Sequence, residues 1–311
     1  MKYLLSSSII LTLLLSLSQG SDGATFMVVN GCSFMIWPGI LANAGSPALQ
    51  TTGFELPSGG SVSLAAPPSW SGRVWGRTGC STNPETGQFY CVTGDCSSGR
   101  VECHGNNADP PATLAEFTIG SDKAQDFYDV SLVDGYNLPM TVQPNGGTGS
   151  CLATGCVADL NRQCPTELLA ESGEACKSAC EAFRSPEYCC SGAYASPDTC
   201  RPSVYSEMFK AACPRSYSYA YDDPTSTFTC SGADYVITFC PSAASEKSAT
   251  ISNTASDTAV VTSVSGAESR GEQMGMASPW VPSLLERSPS IKMTALTPSI
   301  FMLIFLITFN L

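Results

Sequence analysis

Sixteen cysteines fall between Cys32 and Cys240 of a 311-residue chain, and no other feature limits the fold so strongly. An even number of thiols behind an apolar leader implies an oxidising compartment in which they pair. The leader is Met1-Lys2, the run Leu4 to Leu17, and small residues before Ala24. That is the pattern of a secretory signal peptide over 1–23, cut after Gly23, with Gly20 as the fallback. An N-terminal membrane anchor fits less well, because the apolar stretch is shorter than the roughly 20 residues of a span. Zinc is the competing use for so many thiols. His104 is the only histidine, and Cys91/Cys96 and Cys151/Cys156 are spaced wider than close ligand pairs, so neither metal nor cofactor is expected. The sequence alone does not say which cysteine pairs with which.

The rest of the chain divides by composition. Residues 24–240 carry the cysteines and the aromatic, β-branched runs of a single domain. From Ser242 the composition turns to Ser, Thr and Ala, which cannot bury enough surface to order itself, so 241–292 is expected to be a flexible linker. Residues 293–311 end in the apolar run Ile300 to Phe309 with no basic residue after it. Small residues, a polar spacer and a terminal apolar run match a glycosylphosphatidylinositol attachment signal; a tail anchor or a discarded sorting peptide are the alternatives. Ser265-Gly266-Ala267, Ser288 and Ser290 are candidate attachment positions. There is no Asn-x-Ser/Thr sequon, so N-glycosylation is not expected.

Within the domain, Thr25–Asn30, Val62–Leu64, Arg73–Arg77, Leu114–Ile119, Phe127–Val133 and Tyr235–Phe239 read as short strands between Gly, Pro and Asn turns, as in a β-sandwich. Two helices are expected. One runs from Ser172 to Phe183, with Cys176, Cys180 and Phe183 on its inner face; the other runs from Ser203 to Ala212 and is stopped by Pro214. The net charge is −12, which argues against nucleic acid or an anionic bilayer as an electrostatic partner and leaves neutral polysaccharide open.

Chemistry is sought in the acids. Glu116 alternates with Phe117 on a strand and so faces away from the buried side. Asp129 sits mid-strand, where an acid is disfavoured. Asp134-Gly135 reads as the turn that follows. Arg73, Trp75 and Arg77 share one face of their strand, a polar stripe with an aromatic in it. A purely structural reading stays open: Arg73 would neutralise nearby acids, Asp134 would cap its turn, and Asp222 would form an Asx turn before Pro224. His104 is expected to be an exposed loop residue.

The segment from Gly87 to Cys103 reads Gly-Gln-Phe-Tyr-Cys-Val-Thr-Gly-Asp-Cys-Ser-Ser-Gly-Arg-Val-Glu-Cys. It resembles the signature of the thaumatin-like, pathogenesis-related proteins of plants. That resemblance implies a mainly β fold: a thaumatin-like β-sandwich core, a disulfide-rich second lobe with short helices, a small third lobe, and a cleft between the first two. It also implies the pairing Cys32–Cys240, Cys80–Cys91, Cys96–Cys103, Cys151–Cys230, Cys156–Cys213, Cys164–Cys176, Cys180–Cys189 and Cys190–Cys200.

The family's acidic-cleft set is one arginine, one glutamate and three aspartates. It maps onto Arg73, Glu116, Asp129, Asp134 and Asp222, with Asp223 the alternative for the last. The resemblance implies a secreted, monomeric defence protein of the apoplast that binds β-1,3-glucan or another wall polysaccharide and acts on fungal membranes, here held at the cell surface by the tail. Two other readings stand beside it. One is a weak endo-β-1,3-glucanase with Glu116 as acid and Asp129 or Asp134 as base; the other is a cell-surface protein-binding module without enzymatic activity.

Overall fold

The computed structural model describes residues 23–121 and 124–242, and the expected leader, linker and tail lie outside them apart from the residues at their edges. Eleven strands are present in the described residues: β1 (Ala24–Asn30), β2 (Trp37–Ala42), β3 (Ser61–Ala66), β4 (Ser71–Arg77), β5 (Ser81–Thr82), β6 (Phe89–Tyr90), β7 (Leu114–Thr118), β8 (Asp126–Ser131), β9 (Met140–Thr148), β10 (Thr154–Cys156) and β11 (Phe228–Phe239). Nine of them form one sheet in the order β10-β9-β11-β8-β7-β4-β2, with β1 lying between β11 and β3. The short β5–β6 pair stands apart.

The long strand β11 turns this sheet back on itself. Its first residues, Phe228–Cys230, pair with β8, and from Ser231 onward it pairs with β9 and, in parallel, with β1. Just past the change of partner stands Gly232, whose φ of +65° an L side chain rarely adopts. The two halves pack face to face through aromatic rings. Phe26 of β1 meets Phe117 of β7 at 4.5 Å between centroids, and Tyr235 of β11 meets Phe117 at 5.3 Å and Tyr128 at 5.0 Å. Phe26, Tyr128 and Tyr235 are at most 1% exposed, so the alternation of aromatic and polar residues along these strands encodes a sandwich core.

The expected mainly β fold and the six expected strands are present, and all eight bridges follow the pairing that the resemblance implies. No described cysteine is free. Strands β2 and β9 escape the sequence reading because Pro38-Gly39 and Pro144-Asn145-Gly146-Gly147 read as turns.

One helix is shorter than expected. α1 spans only Ala179–Phe183, and its N-cap is Ser178, which accepts from Glu181 N at 3.2 Å. Upstream, Gly173 turns the chain at φ +73°, and the backbone of Cys176 exchanges two hydrogen bonds of 2.8 Å with Tyr136. A helical Cys176 would lose that pairing. The second helix is as expected: α2 spans Val204–Ala212, starts with Ser203 in a reciprocal capping box, and ends at Cys213 before Pro214. A last short turn, α3, covers Asp223–Ser226.

The signature segment folds over the outer face of β4 and β7. Its Cys96 and Cys103 bury with Trp75, Leu114, Ala108 and Ala112 in a small separate cluster. Gly94 has φ +63° and its carbonyl accepts from Trp75 Nε1 at 2.8 Å, so the Thr-Gly-Asp turn needs its glycine. Arg77 differs from the expected polar stripe. It is fully buried and donates to the carbonyls of Trp37 at 2.9 Å, Pro38 at 3.3 Å and Val101 at 2.5 Å, which pins the loop to the sheet. Burial lowers its pKa to about 10, with Asp95 acting in the opposite sense.

Candidate functional site

Register brings three of the five expected residues into line. Arg73 of β4 lies directly opposite Glu116 of β7, and Glu116 lies directly opposite Asp129 of β8. Residues so opposed hold their Cβ atoms about 4.5–5.5 Å apart. The row occupies the face turned away from the sandwich core, because its strand neighbours Val74, Ala115 and Val130 are all core residues. Two residues along the strands, the same face disappears beneath the signature loop. In the other direction it opens at Ser71 and Thr118, whose hydroxyls lie 3.2 Å apart on the exposed surface.

Arg73 Nη2 meets Glu116 Oε1 at 3.1 Å, with the side chains 20% and 32% exposed. A pair that is only partly buried stabilises a fold by about 1 kcal/mol. Beside it, Asp129 Oδ2 and Arg73 Nε are buried and have no hydrogen-bond partner among the described residues. Each such group costs about 1–3 kcal/mol. The row therefore holds polar groups that no protein partner among the described residues satisfies, as expected of groups kept for binding or chemistry rather than stability.

The electrostatics agree. Burial raises the carboxyl of Glu116 above the usual range, opposed by Arg73 and assisted by Asp134. Asp129 is raised further by burial, with Glu116 and Asp223 adding to the rise and Arg73 opposing it. Burial also raises Asp134, again against Arg73. Asp134 occupies the expected turn, and its carbonyl accepts from Ala112 N at 2.9 Å. The next residue, Gly135, has φ +85°, and a Cβ there would stand 2.7 Å from Pro111 Cβ, so only glycine fits this corner.

Asp222 does not join the row. Its carboxylate is engaged by Lys210 Nζ at 2.9 Å and accepts from Ser218 N at 3.0 Å, Ser218 Oγ at 3.0 Å and Thr225 Oγ1 at 3.2 Å. The neighbouring Asp223, kept as the alternative, is the one whose field reaches Asp129. It arrives with Tyr217, a residue the sequence reading missed. Tyr217 N donates to Val130 O at 2.9 Å and Tyr217 O accepts from Leu132 N at 2.9 Å, laying the residue along the end of β8. Its hydroxyl donates to Asp223 Oδ1 at 3.1 Å and shares a hydrogen bond with Thr227 Oγ1. Burial and the fields of Asp129 and Asp223 raise its pKa, while the Thr227 bond lowers it. No periodicity marks this tyrosine; an isolated parallel bridge to Ser131 at the end of β8 brings it here.

The site thus offers a cation, three carboxyls with raised pKa values, a phenol and a flanking hydroxyl surface. Among the described residues no group of His, Cys, Asp and Glu could hold a metal ion. This set suits a neutral ligand rich in hydroxyls, which can both donate to carboxylates and accept from Arg73.

Comparison with known proteins then settles the kinship. The Thaumatin family matches residues 30–241. The chain belongs to the thaumatin family. Thaumatin-like protein 1 of Arabidopsis thaliana is 70% identical over 229 residues, covering 72% of this chain and 88% of the relative. A protein of Prunus avium named glucan endo-1,3-beta-glucosidase is 54% identical over 227 residues, covering 71% and 92%. Pathogenesis-related thaumatin-like protein 3.5 of Cryptomeria japonica is 56% identical over 224 residues, covering 71% and 91%.

Proposed function

We propose that this thaumatin-like chain is a secreted plant defence protein that binds β-1,3-glucan, of fungal or plant walls, along the row Arg73–Glu116–Asp129. The observation that carries the reading is the unpartnered, buried Asp129 Oδ2 at the β8 end of that row. A sugar hydroxyl donating to that oxygen would recover the cost of leaving it unpaired only in the complex. The acidic surface supports a neutral polysaccharide over a polyanion. The Prunus avium relative's name points to the same polymer.

The secretory leader and the attachment-type tail support an apoplastic location, with the protein tethered to the outer plasma membrane; the family likeness supports antifungal action, including on fungal membranes. A pull-down on insoluble β-1,3-glucan tests the binding. Wild type is retained, and Glu116→Gln/Asp129→Asn passes through. Equal retention of the two proteins contradicts the reading.

Hydrolysis is the second reading, favoured by the raised carboxyls of Glu116, Asp129 and Asp134. A carboxyl whose pKa is raised can protonate a leaving glycosidic oxygen while a second carboxylate activates water. Glu116 would be the acid and Asp129 or Asp134 the base. Reducing-sugar release from laminarin that is abolished by Glu116→Gln supports it, and release that survives the substitution removes that assignment. A protein-binding module at the cell surface remains the reading for a chain that neither binds nor cleaves glucan.

A further inference from the structure

The Lys210–Asp222 pair is a partly buried charge network that the row does not use. Lys210 stands in the last turn of α2, and its ammonium has three donors. All three are engaged: by Ser216 O at 3.0 Å, Ser226 Oγ at 2.7 Å and Asp222 Oδ2 at 2.9 Å. Asp222 in turn collects Ser218 and Thr225. The network therefore grips residues 216, 218, 222, 225 and 226, and the segment between those anchors presents Tyr217 and Asp223 to Asp129. The helix end of this lever is fixed independently, since Phe209 is 2% exposed in the lobe core and Cys213 is bridged to Cys156.

We propose that Lys210 is a positioning residue: from the disulfide-rich lobe it holds the 216–227 segment so that Tyr217 and Asp223 form the second wall of the ligand site. The proposal rests on the reading of the row as a glucan site. It also separates the two adjacent aspartates, with Asp222 as the strut and Asp223 as the side chain that meets the site. A lysine whose role ended at stability would shift the unfolding temperature and leave the site unchanged. A positioning lysine alters the surroundings of Asp129 without touching the ligand.

The test uses the secreted protein with Lys210→Met, and with Ser226→Ala as a milder loosening of the same grip should Lys210→Met fail to fold. Two quantities are read: affinity for a soluble β-1,3-gluco-oligosaccharide by calorimetry, and the titration midpoint of the Asp129 carboxyl by carbon NMR. The expected result is binding weakened by roughly ten-fold, the scale of a coupling between sites. The Asp129 midpoint falls in the same direction as in Asp223→Asn, because the Asp223 charge no longer faces it. Wild-type affinity together with an unmoved Asp129 midpoint in a folded variant overturns the proposal. Failure of the wild type itself to bind the oligosaccharide strikes the glucan reading instead, and the Asp129 midpoint still decides the role of Lys210.

Discussion

The sandwich and the disulfide-rich lobe solve the same problem by different means. The sandwich buries a contiguous set of large side chains, among them Phe26, Trp70, Phe117, Tyr128, Tyr235 and Phe239. Its two bridges, Cys32–Cys240 and Cys151–Cys230, close loops of 208 and 79 residues over a core that already holds together. The lobe has a small core in which half-cystines (Cys156, Cys176 and Cys213) stand beside Leu132, Tyr136, Leu160, Leu168 and Phe209. Its helices are short, and three of its bridges close loops of only 9 to 12 residues. Packing holds the first region and covalent staples hold the second. The site draws on both: its row of side chains comes from rigid strands, and its second wall comes from a loop anchored in the lobe.

The largest loss is expected in the sandwich. Phe117→Ala removes the ring that joins Phe26 to Tyr235, and a loss of about 3–5 kcal/mol is expected, with the whole domain unfolding as one transition. Calorimetry checks it, and a drop confined to a partial transition would argue against one continuous core.

Replacing Cys180 and Cys189 by serine opens a short loop worth about 2–3 kcal/mol by chain entropy. Limited proteolysis is then expected to cut first within 181–189 while the sandwich fragment survives. Simultaneous loss of both regions would mean that the lobe is not stapled locally.

The smallest expected effect is a gain. The carboxyl of Asp129 is raised in the folded state, so folding favours its protonated form and that contribution is lost as pH rises through the folded pKa. Asp129→Asn removes the cost of ionisation. The unfolding temperature is expected to rise by a few degrees at pH 7, with the gain vanishing as pH falls below the ordinary aspartate range near about 4. Thermal scans against pH check the sign. A variant less stable than wild type at neutral pH would show that Asp129 serves the fold.

Much of this was legible in the sequence where local chemistry decides. The alternation at Phe117 and Glu116 placed one in the core and the other outside, and Ser203 to Pro214 delimited a helix by its cap and its stop. The bridges came from a family pattern rather than from spacing. What could not be read depends on distant partners. Cys176 leaves its helical pattern because Tyr136, 40 residues upstream, claims its backbone. Arg77 is buried because three carbonyls from two other segments surround its guanidinium. Asp222 and Asp223 are indistinguishable as neighbours in a turn, and only Lys210 and Tyr217 tell them apart.

The most direct test of the central claim is a titration of the labelled domain with a β-1,3-gluco-oligosaccharide, followed residue by residue by NMR. Saturable shifts clustered at Arg73, Glu116, Asp129, Tyr217 and Asp223 are expected. Shifts centred elsewhere, or none at millimolar ligand, would contradict that claim.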